Sequence, residues 1–532
     1  MKRYYPLCLA LASGILLSAG WPPLPMPFLL FIAFVPLFLL GEQPLSRIKF
    51  LAGCFLTLLI WNIITTWWMW NSTAEGAMSA IVANCLFMSL PWLAYYNVRK
   101  RLGVNTALFA LVTSWMTFEY IHLNWELSWP WLTLGNGFAS VPDMVQWYQF
   151  TGTSGGTLWI LLVNVLVFRL WLSAQHNRNG KNRQLVVLLL TALVLPLLCS
   201  YLVFREESFE ATINKSHREI LIIQPNIDPY SKFETGTQDA QLNLLVHLSE
   251  SGLDSNTRLV VWPETAINLP RGIEEDSIRN NFIVRPVWDF LARHPRLKLL
   301  SGIEGYRRYT EDPHSPYAFQ FPGSPNYWYE SFNTAALLDS TGIVLRYHKS
   351  KLVPGVESLP SFLKFMAPIF EKFGGTTGGY ARQDERTVLV DSASGLKAAP
   401  AICYESIYGE FMTGFLRNGA NLICVITNDG WWGNTAGHRQ HLAYARLRAI
   451  ESRRWVVRSA NTGISAVIDP MGRITERKGW DERGYIKVNI PTRTEMTFYA
   501  RNGDLLSKLM VVLCIAILGY SGFRYLAAVR KQ

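Results

Sequence analysis

The feature that most constrains this chain is the uneven placement of its long apolar segments. They crowd into roughly the first 205 residues and the last 30, and the residues between them have ordinary charge and polarity. Half of all residues are apolar, which a soluble multidomain protein rarely shows. The sequence therefore predicts a multi-span α-helical membrane domain, one large soluble domain and a final membrane helix.

Six apolar segments are long enough to cross a hydrocarbon core of about 30 Å as helices. They lie near residues 49–69, 77–97, 105–123, 157–173, 185–204 and 505–526. The stretch 5–41 is split by a proline-rich run at 22–25 into two shorter pieces, which form either two short spans or a hairpin. The predicted domains are 1–205 with about seven helices, 206–500, and 501–532 with the last helix and a short tail.

Basic residues fall in alternate loops between the apolar segments. The loops at 21–26, 70–76 and 124–156 contain no Lys or Arg, whereas the basic residues Lys2, Arg3, Arg47, Lys49, Arg99, Lys100, Arg101, Arg178, Lys181, Arg183, Arg530 and Lys531 share the other side. Cytoplasmic loops carry the excess of positive charge. We therefore expect both termini in the cytoplasm and residues 206–500 on the opposite, extracytoplasmic side.

Charge and cysteine content argue against a nucleic-acid-binding protein, a disulfide-bonded scaffold and a zinc protein. The net charge of +11 is explained by the cytoplasmic loops, so it does not indicate a nucleic-acid partner. The seven cysteines have no paired spacing and no zinc-type CxxC pattern. We expect no disulfide framework, no metal and no cofactor.

The middle of the chain alternates strand-like and helix-like pieces, which is typical of an α/β fold. Predicted strands are Ile220–Gln224, Leu259–Trp262, Lys298–Ile303, Thr334–Leu338, Val388–Val390, Ala399–Ile402 and Leu422–Thr427. Predicted helices lie near 239–251, 278–293, 407–418 and 436–453, and hairpin turns are predicted at 339–342 and 469–472.

Three motifs place a reactive side chain after a strand-like run: Glu264 in WPET, Lys349 in YHKSKLVP and Cys403 in CYES. Loops that leave strand ends commonly assemble active sites in α/β folds. A thiol with an ordinary pKa of about 8.5 is mostly protonated at neutral pH, so a nucleophilic cysteine needs a nearby base or cation. Glu264 and Lys349 can supply both.

Taken singly, each residue also has an ordinary structural explanation. Such a cysteine is usually a buried small hydrophobe, a glutamate after Trp-Pro can cap a turn, and a lysine at a strand end is usually solvated. The three motifs together, in this order, resemble those of the nitrilase superfamily. With the flanking spans, the chain resembles the apolipoprotein N-acyltransferase family over nearly its whole length, the soluble match running from about Ile220 to Asn489.

The resemblance implies a nitrilase-like αββα sandwich on the periplasmic side of a bacterial inner membrane and a ping-pong reaction. Cys403 would take the sn-1 acyl chain of a glycerophospholipid as a thioester and pass it to the N-terminal S-diacylglyceryl cysteine of an apolipoprotein. Glu264 would be the general base and Lys349 the oxyanion stabiliser, supported by Glu357, Glu405 and Tyr404. The expected partners are the phospholipid donor and the diacylated acceptor, and the protein is expected to be a monomer.

Further residues are weaker candidates. Trp431 and Trp432 follow another predicted strand and suit an acyl pocket or ordinary packing, and Cys424 is expected in the core. His438 and His441 have a helical spacing that could suit a metal, but we expect a structural or substrate-contact role because no third ligand stands beside them. The insertion at 306–332 could be a lid or a passive loop.

Two other functions share part of this pattern. A membrane-anchored amidohydrolase would use the same three residues with water as acceptor, although it needs only one anchor. A transporter or receptor that binds without chemistry usually carries ionisable residues within its spans, and few are present here.

Overall fold

The computed structural model describes residues 4–175, 179–211, 217–269, 272–310, 317–320, 323, 326–360, 362–363 and 379–530. Within the predicted insertion, residues 311–316, 321–322 and 324–325 lie outside these ranges, as do the predicted cytoplasmic residues Lys2, Arg3, Arg178 and Lys531. The chain divides into a helical unit, residues 1–70, 74–208 and 502–532, and a sheet unit, residues 71–73 and 209–501.

The helical unit is built almost entirely of apolar helices. The α-helices are Tyr5–Ala19, Val35–Glu42, Arg47–Thr66, Ala74–Leu102, Val104–Leu123, Tyr148–Thr151, Thr153–Gln175, Asn179–Ala211 and Leu505–Val529. Short 3-10 turns occupy Pro27–Phe31, Trp67–Asn71, Leu134–Ser140 and Pro142–Val145.

Five segments in the described part of the chain are long and apolar enough to cross a membrane. They are Arg47–Asn71, Ala74–Leu102, Thr153–Gln175, Asn182–Arg205 and Leu505–Val529, which matches five of the six predicted spans. The sixth, Val104–Leu123, is also helical but carries Glu119 and His122 in its last turns, so it is less apolar.

The N-terminal stretch 5–41 folds as the helix Tyr5–Ala19 and a second piece, Pro27–Glu42, which has a break at residues 32–34. Asn164, fully buried on the helix Thr153–Gln175, supplies the hydrogen bonds that this break leaves unmade. Its Oδ1 accepts from the Phe34 backbone N–H at 2.8 Å, and its Nδ2 donates to the Leu30 carbonyl at 2.7 Å. Irregular backbone at membrane depth requires such internal partners because lipid offers none.

The sheet unit contains two mixed sheets. The first has the strand order β14-β1-β2-β4-β6-β5, with β3 paired to β4 and β7 to β6, and the second has the order β13-β12-β11-β10-β9-β8. The strands are β1 His217–Gln224, β2 Thr257–Val261, β3 Ile273–Glu274, β4 Lys298–Tyr309, β5 Phe319–Gln320, β6 Trp328–Asp339, β7 Gly342–His348, β8 Leu389–Asp391, β9 Leu396–Ile402, β10 Leu422–Thr427, β11 Val456–Ala460, β12 Ser465–Ile468, β13 Ile474–Lys478 and β14 Gly484–Pro491.

The two sheets lie face to face, and each carries helices on its outer face. The helices Gln238–Gly252 and Arg285–Arg293 pack on the first sheet, and Gly409–Arg417 and Ala436–Ser452 pack on the second. β1 is buried along most of its length because one face meets the helices and the other meets β11, where the Ser459 hydroxyl donates to the Ile223 carbonyl at 2.7 Å. This arrangement confirms the predicted αββα sandwich.

Sequence and structure agree on most elements of this unit. All seven predicted strands are present, and the turns at 339–342 and 469–472 join the antiparallel pairs β6–β7 and β12–β13. The predicted helix 278–293 is wrong over its first half, where 3-10 turns occupy Glu275–Asn280 and Phe282–Val284. The α-helix begins only at Arg285 because Pro286 fits the first turn of a helix and not its interior.

Candidate active site

The three predicted residues follow the ends of three different strands. Lys349 and Cys403 come directly after β7 and β9, and Glu264 comes three residues after β2. The loop that carries Glu264 is fixed to β4 by backbone hydrogen bonds, of which Trp262 N–H to the Leu300 carbonyl at 2.8 Å is the shortest. The sandwich thereby brings a carboxylate, an ammonium and a thiol from distant parts of the sequence to one place.

Glu264 is buried, and both of its carboxylate oxygens have donors. Its Oε1 accepts from Asn333 Nδ2 at 2.8 Å and lies 3.4 Å from Lys349 Nζ. Its Oε2 accepts from the Asn428 backbone N–H at 3.0 Å. A carboxylate held by three donors has one orientation, which a proton-transferring group requires.

Lys349 is 1% exposed and lies between two carboxylates. Its Nζ donates to Glu357 Oε1 at 2.7 Å as well as approaching Glu264. Burial disfavours the ammonium, but the charges of Glu357 and Glu264 outweigh it and hold the pKa of Lys349 well above its ordinary value. The residue is therefore a permanent positive charge inside the site.

Cys403 occupies a strained turn at the end of β9. Its φ of +51° lies in the left-handed region that non-glycine residues rarely adopt, and a 3-10 turn, Cys403–Ile407, begins there. Burial, and then the charge of Glu264, raise the pKa of the thiol, while Lys349 lowers it in part. The resting thiol is therefore protonated at neutral pH and needs a base to become a nucleophile.

Glu405 connects the turn of Cys403 to the turn of Lys349. Its Oε1 accepts from the Tyr347 hydroxyl at 2.6 Å and from the Ser350 backbone N–H at 2.7 Å, and its Oε2 accepts from the Ile402 N–H at 2.9 Å. Tyr404, beside it, is buried with its ring 5.3 Å from that of Tyr408. Glu405 thus contacts the chain on both sides of the site.

Three buried polar residues, His441, Asp429 and Arg458, form a hydrogen-bonded group that contacts the backbone of Cys403. The sequence did not predict this contact. His441 Nε2 lies 3.1 Å from the Cys403 carbonyl oxygen, and His441 Nδ1 lies 3.0 Å from Asp429 Oδ1. Arg458 donates to the other Asp429 oxygen at 2.6 Å. Although burial disfavours the carboxylate, Arg458 and His441 hold the pKa of Asp429 below its usual range. These residues hold the backbone of the cysteine turn in place. The observed contact of His441 is therefore a structural one.

A cavity of about 500 Å³ opens beside these residues. Its wall includes Glu264, Glu357 and Trp431, and also Phe233, Thr265, Glu304, Phe319, Tyr329, Ser331, Asn333, Val356, Gly379, Tyr380 and Asn428. The ring of Trp431 stacks on that of Phe233 at 6.5 Å. Trp432 is not among the described lining residues, and its ring lies 5.6 Å from that of His441.

Two polar residues of the site, Asn333 and Lys232, carried no signal in the sequence. Asn333 donates to both Glu264 and Glu357, and Lys232 Nζ donates to the Glu264 carbonyl at 2.8 Å and to Thr265 Oγ1 at 2.7 Å. Cys424 is fully buried in β10, and all seven cysteines are free thiols. No group of three His, Cys, Asp or Glu within the described ranges could hold a metal ion.

Gly302 allows the close approach of β4 to the Glu264 loop. A Cβ there would lie 2.3 Å from the Thr265 backbone N and 2.6 Å from Glu264 Cα. We predict that Gly302→Ala displaces Glu264 and lowers acyl loading of Cys403 about 100-fold, since displacements near 1 Å have effects of that size. Gly519→Ala is the matched control, because a Cβ there would meet no described atom within 4 Å beyond its own helix backbone and chain neighbours. Equal loading rates in both variants would contradict this role.

The comparisons with known proteins agree with this architecture. The family described as "Carbon-nitrogen hydrolase" matches residues 222–497, and "Apolipoprotein N-acyltransferase N-terminal domain" matches residues 13–166. The apolipoprotein N-acyltransferase of Chlorobaculum tepidum is 31% identical over 99% of this chain and 97% of its own length, and that of Azotobacter vinelandii is 29% identical over 93% and 90%.

Among solved structures, an amidase from Nesterenkonia sp. is 18% identical, covers 54% of this chain and 93% of its own, and has a TM-score of 0.35, which is too low to carry an argument. The full-length relatives and both family matches carry the assignment, because together they span the helical unit and the sheet unit. The chain belongs to the apolipoprotein N-acyltransferase family of membrane acyltransferases.

Proposed function

We propose that this protein transfers an acyl chain through a Cys403 thioester to the N-terminal amine of a diacylated apolipoprotein. The observation that carries the proposal is that Glu264 lines the cavity and contacts Lys349, and that the charges of both act on the thiol of the strained Cys403. The family assignment supplies the acceptor class. The proposed donor is a glycerophospholipid that gives its sn-1 chain and leaves as lysophospholipid.

The first half-reaction follows from the contacts of Glu264 and Lys349. Glu264 takes the proton of the Cys403 thiol, and the thiolate attacks the ester carbonyl carbon, forming a C–S bond. The Lys349 ammonium stabilises the oxyanion, because a buried charge acts strongly in a site from which water is excluded. The C–O bond then breaks, and the glycerol oxygen takes the proton from Glu264 as lysophospholipid leaves.

The second half-reaction uses the same groups in reverse. The acceptor amine attacks the thioester carbon, Glu264 receives a proton from nitrogen, and that proton passes to the sulfur as the C–S bond breaks. The supporting residues position the reacting groups and take no part in proton transfer; they are Glu405, Glu357 and Tyr404. Glu405 holds the turns of Cys403 and Lys349, and Glu357 holds the Lys349 ammonium. Trp431 would contact the acyl chain at the cavity wall.

A lysophospholipid assay distinguishes this proposal from the membrane-anchored amidohydrolase, which would discharge the thioester to water. With phospholipid alone, we predict that the purified protein releases one lysophospholipid per molecule and then stops. Adding a diacylated lipopeptide should restore continuous release with equal amounts of N-acylated peptide. Continuous release without acceptor would indicate the hydrolase, and no release from a folded protein would indicate a binding function.

We also propose that the protein is a monomer of the bacterial inner membrane that needs no cofactor, with the sheet unit in the periplasm and both termini in the cytoplasm. The basic loops support this orientation, and the donor and acceptor lipids both require a membrane. In spheroplasts, a protease site inserted after Ser255, an exposed residue, should be cut, and a tag after Gln532 should be protected. The reverse pattern would contradict the orientation.

A further inference from the structure

Glu304 is a partly buried residue of the cavity that the two half-reactions above do not use. It lies on β4 and forms part of the cavity wall together with Glu264 and Glu357. Its Oε1 accepts from the Tyr380 hydroxyl at 2.6 Å, whereas its Oε2 has no hydrogen-bond partner among the described residues and is inaccessible to solvent. A buried carboxylate oxygen without a donor is costly unless a ligand supplies one.

Two acceptors at the cavity wall have no partner in the described structure. Asn333 Oδ1 is a second buried acceptor without a partner in the described structure. Three carboxylates, Glu264, Glu304 and Glu357, stand against two ammonium groups, Lys232 and Lys349. Both ammonium groups are already bound, Lys349 to Glu357 and Lys232 to Thr265 and the Glu264 carbonyl. The ligand that balances this site is a cation that donates N–H bonds.

The proposed acceptor carries such a group. Its α-amine has an ordinary pKa of about 7.7–8.0, so it arrives mainly as an ammonium at neutral pH and must lose one proton before it can attack. Glu264 cannot remove that proton and also receive the one released on attack, since a single carboxylate accepts one proton at a time. Apart from bulk water, the second half-reaction as written therefore has no acceptor for the first proton of the ammonium.

We propose that Glu304 binds the α-ammonium group of the acceptor and takes its first proton. This inference rests on the proposed function and assigns a second catalytic carboxylate to the same cavity. The ammonium gives one proton to Glu304 and becomes a neutral amine, whose lone pair forms the C–N bond at the thioester carbon. The amine's second proton passes through Glu264 to sulfur as the C–S bond breaks, and Glu304 later returns its proton to water.

The surroundings of Glu304 suit this exchange. Burial raises the pKa of Glu304 to about 7, the charges of Glu357 and Glu264 add to the increase, and the Tyr380 hydroxyl and Lys232 oppose it. Its pKa is thus close to that of the amine, as efficient proton transfer requires. Below about pH 7 Glu304 is protonated and cannot take the proton, so discharge to the acceptor should fall there.

The test uses full-length protein loaded with an acyl chain from phospholipid and follows the discharge of the thioester by mass spectrometry. In Glu304→Gln, the ratio of the lipopeptide discharge rate to the loading rate at pH 7 should fall about 10-fold, because only about a tenth of an amine with a pKa near 8 is neutral at that pH. The deficit should shrink above pH 9, where the acceptor amine is already neutral. Discharge by hydroxylamine, which is uncharged at neutral pH, should match that of the unmodified protein.

Glu330→Gln is the matched control. Glu330 is buried, and like Glu304 it accepts from a tyrosine hydroxyl, here Tyr309 at 2.7 Å, and has one oxygen without a partner in the described structure. It is not among the described residues of the cavity wall. In Glu330→Gln, the ratio of the lipopeptide discharge rate to the loading rate should stay within about threefold of that of the unmodified protein. This corresponds to a change of less than about 0.7 kcal/mol. A ratio unchanged in Glu304→Gln, or an equal loss with hydroxylamine, would overturn the proposal.

Tyr380→Phe gives a second test should Glu304→Gln fail to fold. It removes the hydroxyl that lowers the pKa of Glu304, so the acid limb of lipopeptide discharge should move to higher pH. If the acid limb of the pH profile stays at the same pH, the result contradicts the proposed role of Glu304. If the unmodified protein forms no thioester, or forms one that the lipopeptide cannot discharge, the proposed function itself fails, and that result is distinct from a failure confined to Glu304.

Discussion

The candidate active site depends on one buried ammonium group. Lys349 is 1% exposed, and a lone charge at that depth would cost several kcal/mol. Glu357 at 2.7 Å and Glu264 at 3.4 Å stabilise it, and Asn333 donates to both carboxylates. These groups hold one another, and the backbone N–H groups of Asn428 and Val353 bind the second oxygens of Glu264 and Glu357. Glu264 is therefore held in one orientation.

The sandwich fixes Cys403, the proposed nucleophile, next to this charged group. On one side of Cys403, Glu405 binds backbone N–H groups of both the cysteine turn and the lysine turn. On the other side, His441 contacts the Cys403 carbonyl and is itself held by Asp429. The left-handed backbone of Cys403 costs on the order of 1–3 kcal/mol, and these hydrogen bonds from two directions explain how the turn persists.

The sequence predicted the elements with strong local signals. Apolar runs marked the spans and seven strands, and Glu264, Lys349 and Cys403 were recognisable because each follows such a run within a motif. Strand β13 was missed because its three central residues are exposed and polar, and β14 because Lys487 and Asn489 alternate with its apolar residues. Strand β11 was missed because Arg458 interrupts its apolar run. The helix at 278–293 was predicted too long because its apolar period continues through Pro286.

The remaining site residues could not be predicted from local pattern. Asn333 lies inside β6, and its contact with Glu264 follows from the pairing of β6 with β4. Glu304 lies inside β4, two residues past Gly302, in a segment that resembles any buried strand. Lys232 lies in a short 3-10 turn where a solvated side chain would be expected, yet it is buried. In each case the tertiary contacts, and not the residue type, give the side chain its chemistry.

The most direct test of this account is to determine whether an acyl chain is attached to Cys403. The purified protein is incubated with a phospholipid of defined chains, digested and analysed by mass spectrometry beside Cys403→Ser. The account predicts the sn-1 acyl mass on the peptide that carries Cys403, removable by hydroxylamine and absent from the variant. A folded, unmodified protein without this adduct, or with the acyl chain on another residue, would contradict it.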